Sequence, residues 1–473
     1  MAAPNPCARQ RSLDCDGGAV VARDNSSGVG WGGVQTLWLA ALLLLVLPVC
    51  AQEAPRLTGY VEPYAAVQVG GDGAFLAGRT RARLDLDGAF DRGAYVVRNE
   101  ITYDLLGDSL AYDLREAYLD VFFSTVDLRA GRQLLVWGET DGAFITDLLA
   151  PLDLSEFLTQ PQERLRLGVT ALKATAYLGD VTLDGVWIPV SPTTAIPAAG
   201  GPWDPLPAEV LGVPLAYAEP ERPDARLATS ELAARLTWSG LPRTDLALLV
   251  HDGTNRVPGF TKHPAFSIPE GLRIEVTPTY RRRTVLGATF ETALLDPVVL
   301  RGEAAYESQA LFDEPVPTSP LALLDSTFAE SLERGFLVER PQVQAALTAE
   351  RIVGTNMFRL TGLGRWILDH DEEVSAEAFQ PALTGLWNGT FRRETLTLRA
   401  FAYWNIGADL WLSPSLTYAL RDALNLEVGV QLFENLDETE DTSPLSGLIQ
   451  EPSRAFAVYD ANDLLYARLR YSF

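Results

Sequence analysis

The chain has 473 residues, and 62 acidic against 38 basic side chains leave a net charge of −24, a balance that excludes the phosphate backbone of nucleic acid as a partner. Mean hydropathy is only +0.04, and past Ala51 no run approaches the ~18 apolar residues of a membrane helix; if such a chain is embedded in lipid, only a closed barrel satisfies its backbone polar groups. The three cysteines, Cys7, Cys15 and Cys50, all precede the expected mature region, which leaves that region without disulfides or thiolate metal sites.

Residues 1–51 read as an export leader. Leu37 to Val49 is a short apolar run, and Val49-Cys50-Ala51 before Gln52-Glu53 fits signal-peptidase cleavage after Ala51. Arg9, Arg11 and Arg23 are balanced by Asp14, Asp16 and Asp24, so residues 52–473 carry the whole negative charge. The length of the leader points to a start codon further in. Acylation at Cys50 is the alternative, although valine precedes that cysteine where a small residue is expected.

From Leu57 onward apolar and polar residues alternate in segments broken by turn residues, the signature of strands with one face wet and one face apolar. Tight turns fall at Asp91-Arg92, Ser124, Gly179-Asp180, Gly240-Leu241-Pro242, Asp296-Pro297, Val353-Gly354, Arg392 and Asp422. Between them lie long connections at Gly138–Leu165, Pro189–Ala228, Asp252–Glu270, Ser308–Glu333, Asp369–Phe379 and Asn435–Asn462, with two shorter ones near Asp104–Leu110 and Ile406–Gly407. With Gly271–Thr292 taken as one strand, the reading is an all-β, up-and-down antiparallel transmembrane barrel of about 18 strands (16 is possible), with short periplasmic turns and long outer loops.

The polar faces supply the candidate lining. Arg79, Arg81, Arg83, Asp85 and Asp87 share one face of a strand, opposite Thr80, Ala82, Leu84 and Leu86. Arg301, Glu303 and Glu307 share another, as do Arg359, Thr361 and Arg365, and Asn425, Glu427 and Gln431. Burying so many charges in a dry core costs several kcal/mol each unless they are paired, whereas a hydrated lumen accepts them. Trp366, Trp404, Trp411 and Tyr471, near strand ends, are candidates for aromatic girdles.

Catalytic chemistry is not visible. His251, His263 and His370 lack a nucleophile motif around them and read as loop histidines. Gly70-Gly71-Asp72-Gly73 has no helix after it and is no phosphate cradle. The acidic groups Asp369, Asp371, Glu372 and Glu373, and Asp437, Glu438, Glu440 and Asp441, read as solvated loops without the ligand spacing of a calcium site. No enzyme activity, cofactor or metal is expected.

The loop Gly138–Leu165 carries Phe144, Ile145, Leu148, Leu149, Phe157 and Leu158, too apolar to remain in water. It is expected to fold into the barrel mouth, with a short helix starting near Asp153 as its cap. Gly131 permits a bulge that turns Arg132 inward, which places Arg132 and Glu139 at a constriction or, alternatively, as braces of the loop. At the other end of the chain, Leu465, Ala467, Leu469, Tyr471 and Phe473 alternate with Tyr466, Arg468, Arg470 and Ser472, and the terminal Phe473 resembles the signal read by the bacterial outer-membrane barrel assembly machinery.

Gly131-Arg132-Gln133 through Trp137-Gly138-Glu139, then Asp147 to Asp153 with Pro151, Arg301-Gly302-Glu303 and the aromatic C-terminus resemble the porin-like barrels of domain-of-unknown-function family 1302. Gly-Arg-Gln also resembles alginate-export barrels and general porins. The resemblance implies movement of small or hydrophobic molecules across an outer membrane, often beside lipid-handling systems. The expectation is a bacterial outer-membrane porin, diffusion channel or facilitator. Its partners are outer-membrane lipids and lipopolysaccharide, the assembly machinery and a small-molecule or lipid substrate. The alternatives are a plugged or laterally opening barrel for lipids and fatty acids, or a periplasmic lipid-anchored binding protein.

Overall fold

A computed structural model describes residues 54–69, 73–138, 140, 144–206, 209–210, 213–222, 226–268, 271–315, 326–436 and 455–473. The leader, Glu139, the glycine run up to Asp72 and the acidic group from Asp437 to Asp441 lie outside the described residues.

Eighteen strands form one sheet among the described residues. They are β1 Arg56–Gln68, β2 Phe75–Phe90, β3 Gly93–Asp104, β4 Ser109–Phe122, β5 Val126–Gln133 and β6 Val169–Leu178. Next come β7 Val181–Ile188, β8 Glu231–Leu241, β9 Thr244–Thr254, β10 Arg282–Leu295, β11 Val298–Asp313 and β12 Leu337–Val353. The circuit ends with β13 Asn356–Ile367, β14 Phe379–Phe391, β15 Leu396–Asn405, β16 Asp409–Arg421, β17 Leu424–Asn435 and β18 Leu464–Ser472. Each strand pairs antiparallel with its neighbours in sequence. The circuit closes where β1 meets β18, in the register Tyr60↔Ser472 to Gln68↔Leu464. Backbone bonds between Gly59 and Phe473, 3.0 Å in each direction, finish the seam. A closed sheet has no edge to cover.

The two-residue period sorts side chains to the two faces. Leu84, Leu172, Leu248, Leu286, Leu347, Leu360 and Leu465 point outward and stay exposed, Leu248 at 64%. Their neighbours Arg83, Ala171, Leu249, Val285, Thr348, Thr361 and Tyr466 point inward. A large contiguous apolar exterior on a monomer calls for a non-aqueous neighbour.

Several local readings are corrected. Gly271–Thr292 is not one strand: Gly271–Thr279 pairs with Gly259–Ser267 in a separate four-stranded sheet with Val213–Tyr217 and Glu209–Val210, and β10 starts only at Arg282. The break falls at Tyr280-Arg281, where the Arg281 amide donates to Asn255 Oδ1 at 2.7 Å. No helix starts at Asp153; its carboxylate instead caps the Ser155 amide (3.1 Å) and hydroxyl (2.6 Å) ahead of a short strand, Ser155–Leu158. The helical turn comes later, at Gln162–Leu165. Trp411 is no girdle residue, because it points inward and donates to Gln431 Oε1 at 2.7 Å. His251 is no surface residue, being fully buried.

Candidate functional site

The segment between β5 and β6 enters the lumen and rests on two chemically different walls. Its first part uses apolar contact. Trp137, Ile145, Leu148 and Leu149 pack on the inward residues of β6 to β12, among them Val169, Val186, Ile188, Leu249 and Val285, with Ala171, Ala233, Ala305 and Ala346 leaving room for the loop. A buried cluster pins this part. Arg256 donates to Glu231 at 2.7 and 2.9 Å and to the Leu149 carbonyl at 3.1 Å. His251 Nε2 lies 3.0 Å from Glu231, and the Thr254 amide donates to the same carboxylate at 3.2 Å. Farther along, the Thr146 amide donates to Glu303 at 3.0 Å. Burial pushes the Asp147 carboxyl up against the opposing pull of Arg166 and of backbone donors at Trp137 and Gly138.

The second part is held by ions. Glu156 receives Arg79 and, at 3.3 Å, Arg81. Arg164 meets Glu100 at 2.7 Å, and Glu163 meets Arg470 at 2.6 Å. Arg115 donates to the carbonyls of Arg164 and Arg166 at 3.3 and 2.7 Å. Behind these contacts Glu62, fully buried, faces Arg470 at 2.7 Å, Arg468 at 3.5 Å and Arg81 at 3.6 Å. Three guanidiniums around one carboxylate leave positive charge for Glu156 and Glu427, which closes the network through Arg468 at 3.1 Å.

Near the long-loop end, aromatic rings pack together. Phe157 lies 4.4 Å from Tyr459 and 6.0 Å from Phe433, with Trp203 and Phe456 around them. The Tyr459 hydroxyl donates to the Trp203 carbonyl at 3.2 Å, and Asp409 accepts the Phe456 and Ala457 amides at 2.7 and 3.0 Å. Burial pushes the Tyr459 phenol up.

Among the described residues, two cavities lie beside the loop. One, of about 310 Å³, runs between the loop and β14 to β18 and is lined by Gln160, Arg399, Ser415, Glu427 and Arg468 among others. The other, of about 290 Å³, faces β10 to β13 with Arg283, Glu307, Gln344 and Arg365. Phe144 lines both.

Arg79 and Arg81 hold the loop, and Arg83 donates to Asp85 at 2.8 Å. Asp87 shares their face, opposite Val96. Arg301 meets Glu291 at 2.6 Å and Glu350 at 3.1 Å, Arg359 donates to Glu350 at 2.9 Å, and Arg365 reaches Gln380 at 3.4 Å. Arg132 sits apart. Gly131 has φ +128°, yet the β5 register continues without a shift, so Arg132 falls in the row of Thr170 on the face opposite inward Gln133 and Val169. Its Nε donates to the Leu114 carbonyl at 2.5 Å. There β4 has outrun β5, which pairs only with Ala117–Phe122, so Arg132 occupies one backbone acceptor, the Leu114 carbonyl, beyond the end of that pairing. The Phe473 ring lies over Gly59, where an added Cβ would stand 2.9 Å from it. Among the described residues, no group of three His, Cys, Asp or Glu is placed to hold a metal.

Sequence reasoning missed Arg256, the Glu231–His251 pair and Arg399. In β9 both faces are apolar, Leu246, Leu248 and Val250 outward against Ala247 and Leu249 inward, so alternation assigned no face to His251. Arg256 lies in a loop, beyond the reach of any periodicity.

The model of the family described as "protein of unknown function (DUF1302)" matches residues 81–457. Among solved structures, OccK2 (OpdF) of Pseudomonas aeruginosa in complex with glucuronate is similar at a TM-score of 0.50 and 10% identity, over 90% of this chain and 98% of that one. OccAB1 of Acinetobacter baumannii gives a TM-score of 0.48 and 10% identity, over 89% and 98%. At such identities the likeness is one of fold: a porin-like barrel. No curated protein matches the chain in sequence.

Proposed function

The chain belongs to the DUF1302 family, and we propose that it is an outer-membrane diffusion channel or facilitator for small hydrophilic solutes. The observation that carries this reading is the division of the wall: a closed cylinder with an apolar exterior encloses an ion-lined interior, which an inserted loop narrows to two small cavities. Lipid on the outside and water on the inside require this arrangement, and charged groups at a narrow point discriminate among solutes. Cavities of about 310 and 290 Å³ beside the loop suit small solutes and ions. Purified protein in planar bilayers is expected to give discrete, small conductance steps and to support liposome swelling with small solutes. Absence of both in repeated trials overturns the reading. Fractionation with outer membranes and heat-modifiable migration on gels are expected beforehand.

One observation favours a second reading, lateral release of hydrophobic molecules. The long-loop half of β4, with exposed Leu110 and Tyr112, has no β5 residues paired beside it, since β5 pairs only with Ala117–Phe122. That reading predicts co-purified lipid and a barrel silent in bilayers.

A further inference from the structure

The lumen is rich in arginine, but most of its guanidiniums end on a carboxylate. Arg283 meets Glu307 at 2.9 Å, Arg468 meets Glu427 at 3.1 Å, and Arg164 meets Glu100 at 2.7 Å. Such pairs present dipoles to a passing solute, with little net field. Arg365 and Arg399 differ. Among the described residues neither has a carboxylate at ion-pair distance: Arg365 has the Gln380 amide oxygen at 3.4 Å, and Arg399 lies over the Phe401 ring at 5.5 Å. Each lines one of the two cavities.

Their positions along the barrel are staggered. Arg365 is two residues from the long-loop end of β13, and Arg399 is three residues from the short-turn end of β15. The cavities adjoin at Phe144. Around Arg399 the wall offers Asn388, Thr397, Ser415 and Thr417, neutral donors and acceptors that solvate an ion, and the carboxylate in this lining, Glu427, is held by Arg468 at 3.1 Å.

We propose that Arg365 and Arg399 are successive binding stations for small hydrophilic anions, which makes this channel anion-selective although the chain as a whole is acidic. The physical reason is local. A guanidinium facing a cavity with low-dielectric walls keeps its charge uncompensated until a mobile anion arrives, whereas the paired acids on the same walls are already neutralised. The planar donor edge of arginine suits an oxyanion such as a carboxylate. Two stations let an anion leave one site as it is drawn to the next, so that binding does not become trapping.

This inference deepens the channel reading and rests on it. The test measures reversal potential in a potassium chloride gradient, and then with gluconate replacing chloride, for wild type, Arg365→Gln, Arg399→Gln and Arg399→Lys. Wild type is expected to prefer anions over potassium by roughly threefold or more. Each glutamine variant lowers the preference, and the lysine variant keeps most of it. A conducting channel without anion preference, or one whose preference survives both glutamine exchanges, overturns the stations and leaves the channel reading intact. Where a variant does not give the folded, heat-modifiable band, the wild-type reversal potential decides. Silence in bilayers and in liposome swelling overturns the channel reading itself. Calorimetric titration of detergent-solubilised protein with gluconate then judges the stations alone: binding that Arg399→Gln abolishes supports them, and no binding to wild type overturns them.

Discussion

The two parts of the inserted loop solve one problem by opposite means. Ile145, Leu148 and Leu149 sit on a wall of valine, isoleucine and alanine, while Glu156, Glu163 and Arg164 sit on a wall of arginine and glutamate. Apolar contact is non-directional and scales with the area removed from water, so it sets where the loop enters. Ion pairs depend on geometry and on the charge state of both partners, so they set how the loop lies across the lumen and whether it yields. On this division the loop is fixed on β6 to β12 and adjustable on β18 to β4.

The sharpest way to break the fixed side is through its anchor. Glu231→Ala leaves Arg256 and His251 buried without their carboxylate, a loss of about 3–5 kcal/mol for a buried pair cut on one side. Because Arg256 also holds the Leu149 carbonyl, the loop is expected to loosen with the barrel. The temperature at which the fast-migrating gel band disappears should fall by more than in any exchange on the opposite wall. A milder probe of the same side is Leu149→Ala, expected to cost about 2–5 kcal/mol through lost burial and the cavity left behind, read by the same band.

The adjustable side calls for a different readout. Glu156→Gln keeps the shape but removes the charge that Arg79 and Arg81 address, a change of about 1.5–3 kcal/mol for hydrogen bonds to a charged group. Its main effect is expected in bilayers, as larger and noisier conductance, with the folded band little altered. If Glu156→Gln melted the barrel as Glu231→Ala does while leaving conductance unchanged, the division between the two walls would fail.

How much of this was legible follows from the same contrast. Alternation read the charged wall well, since Arg79, Arg81 and Arg83 against Thr80, Ala82 and Leu84 leave no ambiguity of face. The same rule fails on the apolar wall, where both faces of β9 are apolar and alternation assigns His251 to neither. Turn chemistry located the short-turn end, but Gly271–Thr292 looked continuous because nothing in Tyr280-Arg281 marks a break; the break comes from Asn255, distant in sequence. The apolar residues of the loop, Ile145, Leu148 and Leu149, mark a segment that needs a wall to pack on, and they are buried in one cluster with that wall. What holds the loop was only partly legible: Glu156 and Arg79 are 77 residues apart, and a partnership of that span has no local signal. Arg132 was misplaced for a related reason, because the bulge expected at Gly131 depends on how far β5 runs beside β4.

The smallest expected effect separates buried from exposed ion pairs. Arg340 meets Asp371 at 2.7 Å and Glu373 at 2.6 Å, and Arg334 meets Glu373 at 3.2 Å, in chemistry like that of the loop latch but at the solvent-exposed rim. The hydrogen bond from Arg340 holds the Asp371 carboxyl below its ordinary value. A depressed carboxylate contributes stability that is present above its unfolded value, about 4, and is lost as pH falls through the lower folded value. Around neutral pH the rim pair is therefore fully engaged, yet water and salt screen it, and exposed pairs of this kind contribute little. Asp371→Asn is expected to leave the gel transition and the conductance unchanged. It should raise hydrogen exchange only in residues 369–376, and that difference should vanish in acid below the carboxylate range, where the wild-type pair is also gone. A conductance change in Asp371→Asn matching that of Glu156→Gln would mean that the rim, and not the charged inner wall, governs the loop.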